Sequence, residues 1–196
     1  MTWTIPGTVL QVPRENPEAA ENLFSSMFLA GGMVLSQVSS VTGLAPYTVQ
    51  NWVKRGFLSP PEKKKYSLRQ LCRILNIHML KDAMPMERIC AMLGYINGQL
   101  DDEQDDIIDD SVLYFAFVRL AAQADDFLAE DDRQREQALE RALERALEHY
   151  NEPIPGAKDR VKEVLRIMLT AWLSVGLQRQ AQAMFLALPI QSQGGM

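Results

Sequence analysis

Apolar residues in this chain recur almost everywhere at a helical period and almost nowhere in the alternation of a half-buried strand, which restricts the fold to a mainly α-helical one. Asn16-Pro17 opens a first helix in which Leu23, Phe24, Met27 and Phe28 share a face, and Gly31-Gly32 ends it. Ser36 is placed to cap a short helix through Val41, closed by Gly43, and Ala45 or Pro46 starts another through Arg55, closed by Gly56. The stretch Phe57 to Tyr66 holds Pro60 and Pro61 and has no helical pattern, so it is expected to be a tight loop or a tiny hairpin. Ser67 then caps a helix carrying Leu68, Leu71, Ile74, Leu75 and Met79, and Pro85 opens the next, with Ile89, Met92, Leu93 and Ile96.

The second half keeps the same period. Val112, Phe115, Val118 and Leu120 mark one helix, and Leu139, Leu143 and Leu147 recur within ALERALERALEHY before Asn151-Glu152-Pro153. The last long helix shows Val161, Val164/Leu165, Met168, Trp172 and Val175, close to the spacing of a helix-pairing stripe. Either a partner chain or the tail's own core can cover that stripe. The glycine-rich end, Gln191 to Met196, is expected to fray.

Charge divides the chain where periodicity does not. Residues 1–100 carry 10 Lys and Arg against 6 Asp and Glu, whereas residues 101–196 carry 10 against 19. The net charge of −5 therefore hides a basic region, with 9 cations to 3 anions over residues 34–88. The break falls at DDEQDDIIDD, Asp101 to Asp110, two residues after Asn97-Gly98. This run is expected to be an acidic linker that favours the N-terminus of the following helix. Calcium chemistry is a poor fit, because an EF-hand loop needs a glycine at its sixth position and none stands between Gly98 and Gly156.

The composition is that of an ordinary globular chain, 47% hydrophobic and 23% charged, which excludes disorder as the whole answer. No basic segment followed by an apolar one stands at the start, so a secretory signal is not expected. The most apolar stretch, Val161 to Leu177, is interrupted by Lys162, Glu163 and Arg166 and falls short of the roughly 20 apolar residues of a membrane span. Two cysteines, Cys72 and Cys90, make no disulfide framework, so a reducing, cytoplasmic setting is expected. Buried thiols explain them better than a redox pair or a zinc site. Neither His78 nor His149 belongs to a recognisable nucleophilic triad, and no GxGxxG, GxxxxGK(S/T), HExxH or GxSxG occurs, so neither catalysis nor a cofactor is expected.

The segment Leu35 to Leu93 carries the functional signal. A recognition helix offers the side chains near its N-terminus to the DNA major groove, and Tyr47, Gln50 and Asn51 stand there. Gln and Asn can pair bidentately with adenine, and Tyr can reach a phosphate. Lys54 and Arg55 end the helix, where a cation suits both the helix dipole and a phosphate. Lys63, Lys64 and Lys65, followed by Tyr66, sit at the loop tip, where they can follow a DNA backbone. The alternatives are a solvated lysine turn and an exposed amide face. Val49, Trp52, Phe57 and Leu71 are expected to be core.

The order of these residues, LSQVSSVTGLAPYTVQNWVKRGFLSPPEKKKYSLRQLCRI, resembles the DNA-binding head of MerR-type regulators. Gly43, Pro46, Thr48, Val49, Trp52, Gly56, Leu58, Pro60, Tyr66, Ser67 and Leu71 occupy matching positions, and Met84-Pro85-Met86-Glu87-Arg88-Ile89 resembles the segment that ends that head. The chain departs from the pattern in a shorter wing, in Gln50 and Asn51 where an arginine and a tyrosine are usual, and in an acidic helical tail. Uncharacterised bacterial proteins with such a head and tail are similar overall.

The resemblance implies an all-α (mainly) fold: a helical extension over 1–33, a winged helix-turn-helix head with a minimal wing over 34–98, an acidic linker over 99–110, and a helical-bundle effector or dimerisation region over 111–190. It implies a sequence-specific transcriptional regulator that binds double-stranded DNA; a homodimer is expected because one short recognition helix and a small wing bury too little to specify an operator. Two alternatives stand beside it. One is a protein-interaction adaptor that has lost DNA binding. The other is a regulator sensing a small-molecule effector in a tail pocket lined by Phe115, Phe117, Met168 and Trp172, although a packed core explains those four more simply.

Overall fold

A computed structural model describes residues 1–98, 100, 105–124, 127 and 131–188. It is mainly helical. The element order is β1 (Thr2–Thr4), β2 (Gln11–Pro13), α1 (Glu18–Met27), β3 (Met33–Val34), α2 (Leu35–Thr42), α3 (Pro46–Lys54), β4 (Lys65–Tyr66), α4 (Leu68–Leu80), α5 (Met86–Asn97), α6 (Asp110–Ala121), α7 (Asp132–Ala146) and α8 (Ala157–Leu186). Among the described residues no helix is long and apolar enough to cross a membrane.

The extension expected to be helical begins instead with an antiparallel hairpin, in which Trp3 pairs with Val12. Its strands of three residues are too short to show an alternating pattern, which is why periodicity overlooks them. Ile5 and Val12 are buried, and hydrogen bonds tie the hairpin to α4 and α6 among other elements. The Tyr114 hydroxyl donates to the Pro6 carbonyl at 2.9 Å, and His78 Nδ1 lies 3.1 Å from the Gly7 carbonyl, which requires that nitrogen to carry the proton. Burial pushes the His78 pKa below the ordinary histidine value.

α6 is the centre of the molecule. Its sequence, DSVLYFAFVRLA, is apolar around nearly its whole circumference, and such a helix must be covered on all sides. α4, α8, α7 and α1 cover it. Phe24 of α1 meets Tyr114 and Phe115 at ring-centroid distances of 5.9 and 5.6 Å, and Phe117 meets Trp172 of α8 edge-on at 6.0 Å. Val112, counted above among its apolar markers, faces outward instead.

One continuous core therefore runs from Ile5 to Ala171 and joins the basic half to the acidic half. Two of the alternatives left open by the sequence narrow as a result. The α8 stripe Val161, Leu165, Met168 and Val175 is buried inside this chain, so it is not free to pair with another copy. Phe115, Phe117 and Met168 are core as well, whereas Trp172 is half-buried and lines a cleft between the N-terminal hairpin and α8. The ALER repetition has a partner within the chain: Lys162 of α8 bridges Glu140 and Glu144, and Arg166 bridges Glu136 and Glu140.

The described part of the acidic run is not a spacer. Ile107 and Ile108 are buried, Arg69 of α4 bonds to Asp106, and Arg73 lies 3.6 Å from the buried Asp110. Asp109 caps α6, its carboxylate accepting from the Ser111 N–H at 2.7 Å. Gln99, Asp101, Asp102, Glu103 and Gln104 lie outside the described residues, as does the end of the chain from Gln191 to Met196.

Candidate nucleic-acid interface

α2 and α3 are joined by a tight turn at Gly43, whose φ of 72° ends α2 in the left-handed region that glycine enters at little cost. Pro46 occupies the first turn of α3, where its missing N–H has no helical acceptor to lose. The start of α2 differs from the expectation. Val34, not Ser36, is the cap residue, and the Gln37 side chain accepts from its N–H at 3.0 Å. Ser36 is thereby left exposed in the first turn.

α3 divides into two faces. Val49 and Trp52 are buried and hold it to the core, while Tyr47, Gln50, Asn51 and Lys54 are exposed, Tyr47 to 73%. At its C-terminal end the Arg55 guanidinium stacks over the Phe57 ring at 4.5 Å and bonds to Glu87 of α5 at 3.2 Å. Arg55 thus anchors α3 to α5, and its charge is already matched.

The lysine segment is a small hairpin. β4 pairs antiparallel with β3, Met33 opposite Tyr66 and Val34 opposite Lys65. Lys63 and Lys64 both have positive φ, 48° and 65°, and the Lys65 N–H donates to the Glu62 carbonyl at 2.8 Å, so the tip is a hairpin turn built without glycine. All three lysines are exposed. Tyr66, grouped with them in the sequence, is only 3% exposed and belongs to the core. Successive strand residues face opposite sides, so an exposed Lys65 requires an inward Tyr66.

Three features hold this hairpin in place. Gly32 passes so close to β4 that a Cβ there would lie 2.7 Å from the Tyr66 carbonyl oxygen. The Ser67 hydroxyl caps α4 by accepting from the Gln70 N–H at 3.1 Å, while Gln70 Oε1 accepts from the Ser67 N–H at 2.9 Å. The same Gln70 amide donates to the Ser59 and Pro60 carbonyls at 3.1 and 3.0 Å, clamping the loop that leads into the turn.

Gln50 and Lys64 come together. Both line a groove of about 600 Å³ that runs between α2, α3 and the hairpin, with Ser36 and Val53 also on its walls. Sequence reasoning missed Ser36 because it was assigned to a cap. It also missed a second cleft behind the hairpin, to which Lys63, Lys65, Arg73, Asn97 and Asp110 contribute.

Burial pushes the Asp110 carboxyl above the ordinary range despite the attraction of Arg73, and raises Asp106 to about 6 against the pull of Arg69. Burial also raises the thiols of Cys72 and Cys90, both free. Among the described residues no group of three or more His, Cys, Asp or Glu could hold a metal ion.

Comparison with known proteins adds two likenesses. Residues 31–117 match the family model described as a domain of unknown function, DUF1836. The matched stretch includes every exposed residue named above and the Arg73–Asp110 pair. The chain is also 26% identical over 156 residues to an uncharacterized protein, YkrK, of Bacillus subtilis (strain 168), an alignment covering 76% of this chain and 67% of that protein. No solved structure matches the chain.

Proposed function

We propose that the chain is a sequence-specific, DNA-binding transcriptional regulator of the cytoplasm, with α3 entering the major groove and the lysine turn that leads into β4 acting as a minimal wing on the phosphate backbone. The observation that carries this reading is the common exposure of Tyr47, Gln50, Asn51 and Lys54 on one helix beside Lys63, Lys64 and Lys65 on a rigid turn, with Gln50 and Lys64 on one groove. A helix of amide side chains flanked by cations has the donors and acceptors for adenine edges and the charge for phosphates. The element order, a short helix, a glycine turn, a second helix, a lysine turn and a capped third helix, is compatible with the MerR-type head that the sequence resembles.

Tyr66 is left out of the proposed contact set. Arg55 stays in it only as a residue that orients α3. Action as a homodimer is part of the proposal, since one short helix and a two-residue strand pair bury little of the surface that operator recognition requires. The pairing surface must then differ from the α8 stripe, which is buried. A gel shift on genomic fragments at two salt concentrations tests the reading. The expected result is a set of preferred fragments retained at the higher salt. A chain that shifts no fragment at either salt overturns it, and the adaptor reading then takes its place.

A further inference from the structure

We infer that the cleft behind the lysine turn and β4 is a binding site for a small metabolite carrying a carboxylate or phosphate group, received by Arg73 and Asn97. This goes beyond DNA binding and does not depend on it. The cleft measures about 540 Å³, within the range of small-molecule sites. Its walls come from the hairpin, α4, the end of α5 and the start of α6.

Three side chains on its walls, Asn97, Arg73 and Asp110, are buried yet have hydrogen-bonding capacity left over among the described residues, Asp110 through its Oδ1. Asn97 is 2% exposed, and neither its Nδ2 nor its Oδ1 finds a hydrogen-bond partner among the described residues. Arg73 is 6% exposed; one of its terminal nitrogens lies 3.6 Å from Asp110, while its Nε has no hydrogen-bond partner among them. Buried polar groups in folded chains are nearly always paired, because an unpaired one forfeits its hydration without return. A whole amide and a guanidinium edge left over on one cleft therefore describe the ligand. It presents an anionic oxygen to the Arg73 and Asn97 N–H donors and hydrogen-bond donors of its own to Asn97 Oδ1 and Asp110 Oδ1.

Charge points the same way. Arg69 and Arg73 are already faced by Asp106 and Asp110, and it is Lys63 and Lys65 at the mouth, against Glu62, that favour entry of an anion. A duplex backbone is the wrong shape for this role, since Arg73 and Asn97 are too deeply buried for it to touch. Because Lys63 and Lys65 belong to both the cleft mouth and the hairpin tip, occupancy of one is thermodynamically coupled to whatever the other touches.

The test uses the full chain labelled with ¹⁵N, following the Asn97 side-chain amide and the Arg73 Nε–H by NMR. Inorganic phosphate and acetate are the probes, with chloride at matched ionic strength as the control. At least one oxyanion is expected to produce saturable shifts of both signals that chloride does not. Asn97→Leu, similar in volume and apolar, is expected to weaken that oxyanion at least tenfold. Lys65→Ala, at an exposed position that the core does not need, is expected to weaken it severalfold and serves as the comparison should Asn97→Leu not fold. Shifts no larger than those in chloride, or unchanged affinity in both variants, would overturn the site and leave ordered water as the partner of Asn97. The gel shift is read independently of this titration, so failure of one proposal is distinguishable from failure of the other.

Discussion

Gln50 of α3 and Lys64 of the hairpin turn line the same groove, one offering an amide and the other a cation. Their neighbours separate reading from holding: Gln50 and Asn51 are exposed, while Val49 and Trp52 are buried. Gln50→Ala or Asn51→Ala is expected to cost about 1–3 kcal/mol on a preferred DNA site and much less on unrelated DNA. Trp52→Ala is expected to lower folding stability by about 3–5 kcal/mol through the cavity it opens, and to impair binding only through unfolding. Titrations on both DNAs, with chemical denaturation of each variant, check the contrast. Folded Gln50 and Asn51 variants with full sequence preference would show that α3 does not read bases.

The hairpin lysines are expected to act through charge alone. Each phosphate neutralised releases counterions, so the slope of log K against log salt changes by about 0.9 per contact. Replacing Lys63, Lys64 and Lys65 together with Ala is expected to flatten the slope by about two or three and to weaken all sequences alike. Lys54→Ala is expected to remove about one contact's worth. An unchanged slope in the triple variant would reduce the segment to a solvated turn.

Local signals were legible in the sequence, and contacts between its distant parts were not. Ser67 followed by Gln70, Pro46 after Ala45 and Gly43 after Thr42 each state a backbone requirement within four residues, and α2, α3 and α4 end or begin there. The β3–β4 pairing joins two-residue strands on either side of a helical pair, and no window of sequence can show that. The acidic run was misjudged for a related reason. Its carboxylates read as a solvated spacer until Arg69 and Arg73, which bond to Asp106 and face Asp110, are brought alongside. The α8 stripe posed the same problem: its spacing reports that a partner exists, while the choice of α6 and its neighbours over a second chain depends on tertiary structure.

Asp106 offers a direct measure of that docking. Its carboxyl titrates at about 6 because burial disfavours the charged form more than Arg69 favours it. A folded-state value above the unfolded one of 3.8 means that the folded chain binds the extra proton between the two values. From this group, stability is greatest below about pH 4 and declines as pH rises through about 6. Side-chain carboxyl NMR is expected to place the midpoint near 6, and Arg69→Met is expected to raise it further. A midpoint at the ordinary carboxylate value would mean that residues 105–110 are solvated.

Gly32 tests whether the hairpin must stay where it is for the protein to work. A methyl group there would press on the Tyr66 carbonyl oxygen and on the Lys65 side chain, at 2.7 and 3.0 Å, and the backbone side of that contact cannot yield by rotating. Gly32→Ala is therefore expected to separate β3 from β4 and release the turn, with loss of the Met33–Tyr66 pairing. The core beneath is built from α4, α6 and α8 and is expected to persist, so helical content by circular dichroism should change little. Hydrogen exchange at the Met33 to Lys65 strand amides is expected to accelerate, and DNA affinity to fall about as far as in the triple lysine variant, because a displaced turn delivers no charge to the backbone. If exchange accelerates while affinity holds, the lysines act without the hairpin geometry. If neither changes, β3 can approach β4 without the glycine.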